Sequence, residues 1–325
     1  MAASLPPREA LTICFAHVAY RMAERFALRG TNIRHFEVRT LEDFQARIPE
    51  ADVVLVSGMW RNELLKRAPK LKLIQSISAG VDQYDKDALK TAGVRLASAQ
   101  GVNARAVAEH AIALVLAMAR QIHVGRDNQH KRHWRGMIGD LAQREDELGG
   151  KTLVVVGLGR IGGRLAQLAK AFDMHVIGTR RDVSAGKGAA DEVVPDGKLL
   201  EVLPRADFVA LTCPLTPQTE RLIDARALGA MKQSAFLVNV ARGRCVDEAA
   251  LIKAVNEATI AGAALDCTAE EPLPQDSPLW SMPNVLITPH TAGETRRYED
   301  NVLDLLVENL DRLWRGESSL KNQVV

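Results

Sequence analysis

Nine short runs rich in valine, isoleucine and leucine constrain this chain more than any other feature: Leu11–Phe15, Val53–Val56, Leu73–Ile77, Leu153–Val156, His175–Ile177, Phe208–Leu211, Phe236–Val240, Ala263–Leu265 and Val285–Ile287. They are largely apolar rather than alternating, which is the pattern of strands covered on both faces. Helical patterns at Arg160–Phe172, Leu199–Leu203 and Glu248–Asn256 lie between them. Strands that alternate with helices predict parallel sheets joined by right-handed crossovers, hence an α/β fold. With 325 residues, and roughly 150 per domain, two domains are expected. An internal echo supports two similar halves, since Pro49-Glu50-Ala51-Asp52 precedes one buried run and Pro204-Arg205-Ala206-Asp207 precedes another. Convergence of helix-to-strand junctions would produce the same pattern.

Residues 104–120 are rich in alanine and leucine and contain no glycine or proline, so one long helix is expected there. Its apolar residues lie nearly all round, which implies burial between layers or against another subunit. Residues 121–150 are polar and include Lys131-Arg132-His133-Trp134-Arg135, a basic aromatic cluster of the kind that binds nucleic acid. Asp140, Glu145, Asp146 and Glu147 balance that charge, and the whole chain carries only +2. A solvated or subunit-contacting arm is therefore expected, and no nucleic-acid partner. Arg105, Glu109 and His110 interrupt the most apolar stretch, which falls short of the ~20 residues of a membrane span, so no membrane partner is expected. The first ten residues lack the order of a secretion signal, which points to a cytoplasmic location. Cys14, Cys213, Cys245 and Cys267 form no C-x-x-C pair and read as reduced, mostly buried thiols; no metal site is expected.

Leu153–Val156 runs directly into Gly157-Leu158-Gly159-Arg160-Ile161-Gly162 and then into a helical pattern. A G-x-G-x-x-G turn in that context binds dinucleotides: the first glycine permits the turn, the second admits a pyrophosphate and the third packs helix on strand. The helix start then offers free N–H groups to the phosphates. Where NAD enzymes carry an acid for the ribose hydroxyl, after the strand at His175–Ile177, this chain reads Thr179-Arg180-Arg181. Two guanidiniums and a hydroxyl suit a 2′-phosphate, so NADP(H) is preferred, with NAD(H) as the alternative through Asp182.

Arg242, Glu271 and His290 each follow a strand-like run in the second half, where open α/β sheets place their sites. With Ser78-Ala79-Gly80-Val81-Asp82, the glycine turn, Asn239-Val240-Ala241-Arg242-Gly243, Asp266 through Glu271-Pro272-Leu273-Pro274, and Thr288-Pro289-His290-Thr291-Ala292-Gly293, the chain resembles the D-isomer-specific 2-hydroxyacid dehydrogenase family. The resemblance implies two Rossmann-like or flavodoxin-like parallel-sheet domains. A dinucleotide-binding domain at 102–290 would be inserted into a substrate domain made of 1–101 and 291–325. It implies that Arg242 binds the carboxylate and carbonyl of a 2-oxo acid, His290 is the acid/base and Glu271 pairs with it. Thr212, Cys213, Pro214, Val240, Ala241 and Gly293 would lie along the cofactor, and Asp266 near its nicotinamide amide.

Ala79, Gly80 and Val81 would present backbone N–H groups to the substrate carboxylate, and Met59 and Trp60, after Val56, would line the side-chain pocket. Homodimers through the helix and arm at 104–147 are also implied. The chemistry requires these residue types: an arginine fork matches adjacent oxygens as lysine would not, and a carboxylate beside a histidine keeps it protonated. Thr179-Arg180 departs from NAD-using members and is shared with NADPH-using glyoxylate and hydroxypyruvate reductases, which makes small 2-oxo acids the expected substrates. Formate and phosphite dehydrogenases share the fold, and a dinucleotide-sensing regulatory binding protein is the alternative from another class. The ordinary length and composition favour the enzyme.

Overall fold

The computed structural model describes residues 5–325. The chain divides into two compact units, one ending at Asn103 and resuming at Thr295–Val325, the other Ala104–Glu294. The discontinuous unit contains β1 (Thr12–Ala16), α1 (Met22–Ala27), β2 (Arg34–Val38), α2 (Leu41–Arg47), β3 (Val53–Val56), β4 (Leu73–Ser76), α3 (Lys86–Thr91) and β5 (Arg95–Ala97), and the C-terminal helix Tyr298–Trp314. Its five strands run parallel in the order β2-β1-β3-β4-β5. That order reverses direction between β1 and β3, as in doubly wound sheets. One face packs Phe15, Phe26 and Leu55 against Val302 and Leu306 of the C-terminal helix, and the other packs Val54 and Ile74 with Phe44 and Trp60.

The second unit contains α4 (Ala104–Ala119), α5 (Ile122–His130), β6 (Thr152–Val156), α6 (Arg160–Lys170), β7 (His175–Arg180), β8 (Glu192–Pro195), α7 (Leu199–Val202), β9 (Phe208–Leu211), α8 (Ala225–Ala230), β10 (Phe236–Asn239), α9 (Glu248–Asn256), β11 (Gly262–Leu265) and β12 (Val285–Ile287). Seven parallel strands lie in the order β12-β11-β10-β9-β6-β7-β8. The reversal falls between β6 and β9, whose last residues Val156 and Leu211 are in register. Leu153, Val155 and Val238 pack toward α4 and α6 on one face, while Val154, Val209 and Leu237 face Leu228 and Leu251 on the other.

All nine expected runs are strands. Three further strands, β2, β5 and β8, lie at sheet edges and show mixed burial. The polar segment 121–150 also holds a short helix, α5. The four cysteines are buried and free of disulfides. Among the described residues no single helix is long and apolar enough to cross a membrane.

The echoed tetrapeptides perform the same local task. Asp52 and Asp207 each accept the N–H that opens the first strand of their sheet, from Thr12 at 2.9 Å and Thr152 at 2.8 Å. Each also donates its own N–H back to the same residue's carbonyl at 2.9 Å. The strand beside each reversal is thus pinned at the edge away from the loops that follow it. Asp52→Ala leaves a buried N–H without an acceptor and is expected to lose about 1–3 kcal/mol of stability. Asp52→Asn, which keeps an oxygen there, loses less; urea unfolding midpoints compare the two.

Candidate active site

The glycine turn after β6 is held from both sides. Gly157 has φ +94, a conformation that glycine adopts without strain. A Cβ there would lie 2.8 Å from Cys213 Cα, so the turn rests on the loop after β9. Gly157 N–H donates to Thr179 Oγ1 at 3.3 Å, and Thr212 Oγ1 donates to Gly157 O at 2.8 Å. A Cβ on Gly162 would meet Gly157 O at 2.4 Å, which sets α6 directly against the turn.

Gly159 differs, because a Cβ there would meet no atom within 4 Å. It precedes Arg160 and Ile161 as the N-cap of α6, and no side chain caps it, whereas Thr40, Asp85, Asp224 and Asp247 cap α2, α3, α8 and α9. First-turn N–H groups have no acceptor within their own helix. An uncapped helix start beside an open glycine face fits the pyrophosphate of a dinucleotide.

At the end of β7, Thr179 is buried, and its hydroxyl oxygen accepts the Gly157 N–H. Arg180 turns its guanidinium onto Gly186 O. Arg181 is exposed and makes no protein hydrogen bond among the described residues. Asp182 accepts from Ser184 N–H at 2.9 Å and from its hydroxyl at 2.6 Å. Those two hydrogen bonds hold its carboxyl below the usual range. Cys213 is buried, and exposed Pro214 offers its carbonyl to Thr219 Oγ1 at 2.6 Å.

After β10 the chain bends around Asn239, a residue whose role the sequence reading passed over. Its buried amide accepts from Ala241 N–H and donates to Arg242 O, both at 3.0 Å. Val240 and Ala241 are buried within this bend, and half-buried Arg242 emerges with Nη1 2.7 Å from Ala241 O. Gly243 follows, and a Cβ on it would stand 1.8 Å from Thr268 O. The Arg242 loop and the loop carrying Glu271 therefore meet backbone to backbone.

Asp266, at the end of β11, is 2% exposed and receives donors on both oxygens. Thr288 Oγ1 donates to Oδ1 at 2.6 Å, Thr291 N–H to Oδ1 at 3.0 Å and Ala292 N–H to Oδ2 at 3.0 Å. These anchors flank His290, which has φ +54. Gly293, half-buried, follows the anchored stretch. Thr288 Oγ1 also lies 2.9 Å from His110 Nε2, a contact from α4 that the sequence reading did not anticipate.

His290 Nδ1 sits 2.8 Å from Glu271 Oε2, and Glu271 Oε1 accepts from Thr268 N–H at 3.1 Å. His290 Nε2 makes no protein hydrogen bond among the described residues, and the imidazole is 44% exposed. The hydrogen bond to Glu271 raises the His290 pKa above its ordinary value; burial and the Arg242 charge oppose this, and the Glu271 and Asp266 charges add to it. Burial pushes the Glu271 carboxyl up, but the hydrogen bond and charge of His290, with Thr268 N–H and Arg242, bring it below the usual range. The result is an imidazole whose protonated form is favoured, with Nδ1 on a carboxylate, Nε2 open and a guanidinium nearby.

In the discontinuous unit, Ala79, Gly80 and Val81 form a half-buried loop after β4. Met59 and Trp60, expected to line the side-chain pocket, are 8% and 2% exposed and join Tyr84 and Leu64 in the core. The Trp60 indole N–H donates to Asn62 Oδ1 at 3.0 Å, so its polar edge is satisfied as well. Ser57, Ser78 and Gln83 instead form the polar cluster at this edge, linked at 2.5 and 3.1 Å.

A seven-stranded doubly wound sheet with a pyrophosphate-fitting turn, and an arginine, a carboxylate and a histidine on the same edge, has the layout of a dinucleotide-binding unit. Residues 112–292 match the family model described as "D-isomer specific 2-hydroxyacid dehydrogenase, NAD binding domain", and the chain belongs to that family. It is 36% identical over 289 residues to the D-3-phosphoglycerate dehydrogenase of Methanocaldococcus jannaschii, covering 86% of this chain and 52% of that protein. It is 35% identical over 286 residues to the glyoxylate reductase of Korarchaeum cryptofilum, covering 86% of this chain and 85% of the relative. The chain thus spans about half the length of the phosphoglycerate dehydrogenases it matches. The TT0316 protein of Thermus thermophilus superposes with TM-score 0.83 at 33% identity, over 97% of this chain and 100% of that one.

Gly243→Ala should force the two loops apart, lowering stability by about 1–3 kcal/mol. Because an ångström of misplacement at a reacting centre is costly, turnover should fall by roughly a hundredfold. Thermal unfolding and steady-state rates read the two effects separately, and an unchanged rate would contradict the role given to this contact.

Proposed function

We propose that this chain is an NADP(H)-preferring reductase of small 2-oxo acids, such as glyoxylate or hydroxypyruvate, within the 2-hydroxyacid dehydrogenase family. The observation that carries the reading is the His290–Glu271 hydrogen bond beside Arg242, on the edge of the sheet that holds the glycine turn. In this reading the discontinuous unit binds substrate and the inserted unit binds the dinucleotide. The relative from Korarchaeum cryptofilum bears the name glyoxylate reductase, which supports a small substrate.

When bound, the reduced nicotinamide supplies the hydride. Gly157, Gly159, Gly162 and the first N–H groups of α6, at Arg160 and Ile161, would hold its pyrophosphate, and Arg181 its 2′-phosphate. Arg242 presents a planar fork to the substrate carboxylate and the neighbouring carbonyl oxygen, drawing electron density toward that oxygen. The N–H groups of Ala79, Gly80 and Val81 are proposed to share the carboxylate. His290 donates its Nε2 proton to the developing alkoxide, and Glu271 holds the imidazole in orientation and stabilises its protonated form. In the reverse direction the neutral imidazole takes the hydroxyl proton. The arm exposes Trp134 and Met137 almost completely, and we propose that it seats against a second copy of the chain.

The pH dependence has a definite sign. Reduction needs protonated His290, and its pKa is raised, so the reduction rate should hold through the ordinary value of ~6.5 and fall above the raised one. Oxidation should rise across the same interval. Glu271→Gln removes the main cause of the shift and should move both limbs to lower pH. His290→Ala should abolish most turnover while NADPH affinity, read by fluorescence titration, stays nearly intact; limbs that do not move in Glu271→Gln would rule out this assignment.

Arg181→Ala removes a charge-assisted contact to the 2′-phosphate and should weaken NADPH binding roughly ten- to hundredfold, with little effect on NADH. Parallel titrations with the two cofactors test this, and equal losses would refute the 2′-phosphate role.

A further inference from the structure

His110 lies on α4, more than 150 positions before the loop it touches. Val107 and Leu114, three and four residues away on the same helix, are buried, and the imidazole itself is 24% exposed. Its Nε2 lies 2.9 Å from Thr288 Oγ1 and 3.4 Å from Asp266 Oδ1. A threonine hydroxyl carries one proton, and Thr288 gives it to Asp266 Oδ1 at 2.6 Å. Thr288 is therefore an acceptor toward His110, and the proton between them belongs to His110 Nε2. The tautomer is set by the geometry, and all three groups have one consistent direction of donation.

This relay ends on the carboxylate that holds the His290 loop. His290 has φ +54, in a region sparsely populated by residues other than glycine, so its backbone must be held from both sides. On the near side, Thr288 N–H donates to Leu265 O at 2.9 Å and Thr288 O accepts from His290 N–H at 3.0 Å. On the far side, Thr291 and Ala292 donate to Asp266. Thr288 and Asp266 are thus the two anchors of a strained loop, and His110 is the outside donor that fixes the rotor joining them.

We propose that His110 is a positioning residue for the acid/base histidine. Acting through Thr288 and Asp266, it holds the His290 imidazole in the orientation that proton transfer requires. The inference rests on the reductase reading above. His110 itself touches neither the glycine turn nor Glu271 in any hydrogen bond, so its loss should act on the chemical step more than on cofactor binding.

The test uses the full chain, NADPH, and whichever of glyoxylate, hydroxypyruvate and pyruvate the wild type reduces fastest. His110→Leu should lower kcat about threefold to tenfold, the worth of one hydrogen bond. The substrate KM and the NADPH Kd should stay within about twofold. His110→Gln places an amide N–H near the original Nε2 and should recover most of the rate. His110→Asn is polar but too short and should behave like leucine, which keeps the test alive if His110→Leu does not fold. Thr288→Val should match His110→Leu or exceed it, and the double variant should be no worse than Thr288→Val alone. Wild-type kcat in His110→Leu, equal rates in the Gln and Asn variants, strict additivity with Thr288→Val, or a loss of NADPH affinity in step with kcat would each overturn the proposal. Silence of the wild type with all three acids would instead overturn the reductase reading, and this inference with it.

Discussion

A parallel sheet covered on both faces leaves polar chemistry only the turns beyond its strand ends, and everything at this site depends on that constraint. The strands of the larger unit run the same way, so each delivers its chain to the same edge. Apolar side chains occupy both faces, and the backbone groups within the strands are paired along the ladder. Charged groups are therefore confined to the turns beyond the strand ends. β6 delivers Gly157, β9 Thr212, β10 Arg242, β11 Asp266, and β12 the Thr288–Ala292 loop. The registers Asn239↔Leu265 and Leu265↔Ile287 bring the last three side by side although they are far apart in sequence.

Loops at such an edge face a second problem, because irregular backbone leaves N–H and carbonyl groups without ladder partners close to a dry core. The larger unit solves it with two buried polar side chains placed at strand ends. Asn239 satisfies one N–H and one carbonyl of the Arg242 bend, and Asp266 satisfies two N–H groups and a hydroxyl around His290. Each holds a non-repetitive turn in place, since a buried donor without an acceptor costs about 1–3 kcal/mol. The same device appears at the opposite edge, where Asp52 and Asp207 receive the opening N–H groups of β1 and β6.

What the sequence made legible follows from burial. Strands packed on both faces are apolar throughout and stand out, as Val53–Val56 and Phe208–Leu211 do. β2, β5 and β8 are edge strands whose side chains are partly exposed, so their composition is ordinary and their pairing invisible. The glycine turn was legible because its backbone demand is local. The burial of Thr179 was not legible in a run read for its polarity: neighbours on a strand point to opposite faces, and Thr179 turns inward to Gly157. The burial of Met59 and Trp60 was not legible, because an aromatic in a loop reads alike whether it lines a pocket or fills a core, and their neighbour Tyr84 comes from a separate stretch of chain. His110 looked like a polar interruption of an apolar helix, since its partners lie on strand ends that no local pattern links to it.

The electrostatics of the site also contain a dependence that no single residue shows. Glu271 raises the pKa of His290, while the positive charge of Arg242 works against it. In the absence of an anion these two effects partly oppose each other on a half-exposed imidazole, which limits how firmly the proton is held. A carboxylate seated on Arg242 would cancel the repulsive charge without touching Glu271, so the imidazolium would be favoured most when the carbonyl that needs its proton is present. In the proposed reading, the guanidinium that would recognise the substrate and the acid that would protonate it are thereby linked through charge alone. The linkage requires only that Arg242 and Glu271 stay close to His290, and the backbone contact between Gly243 and Thr268 keeps their loops together.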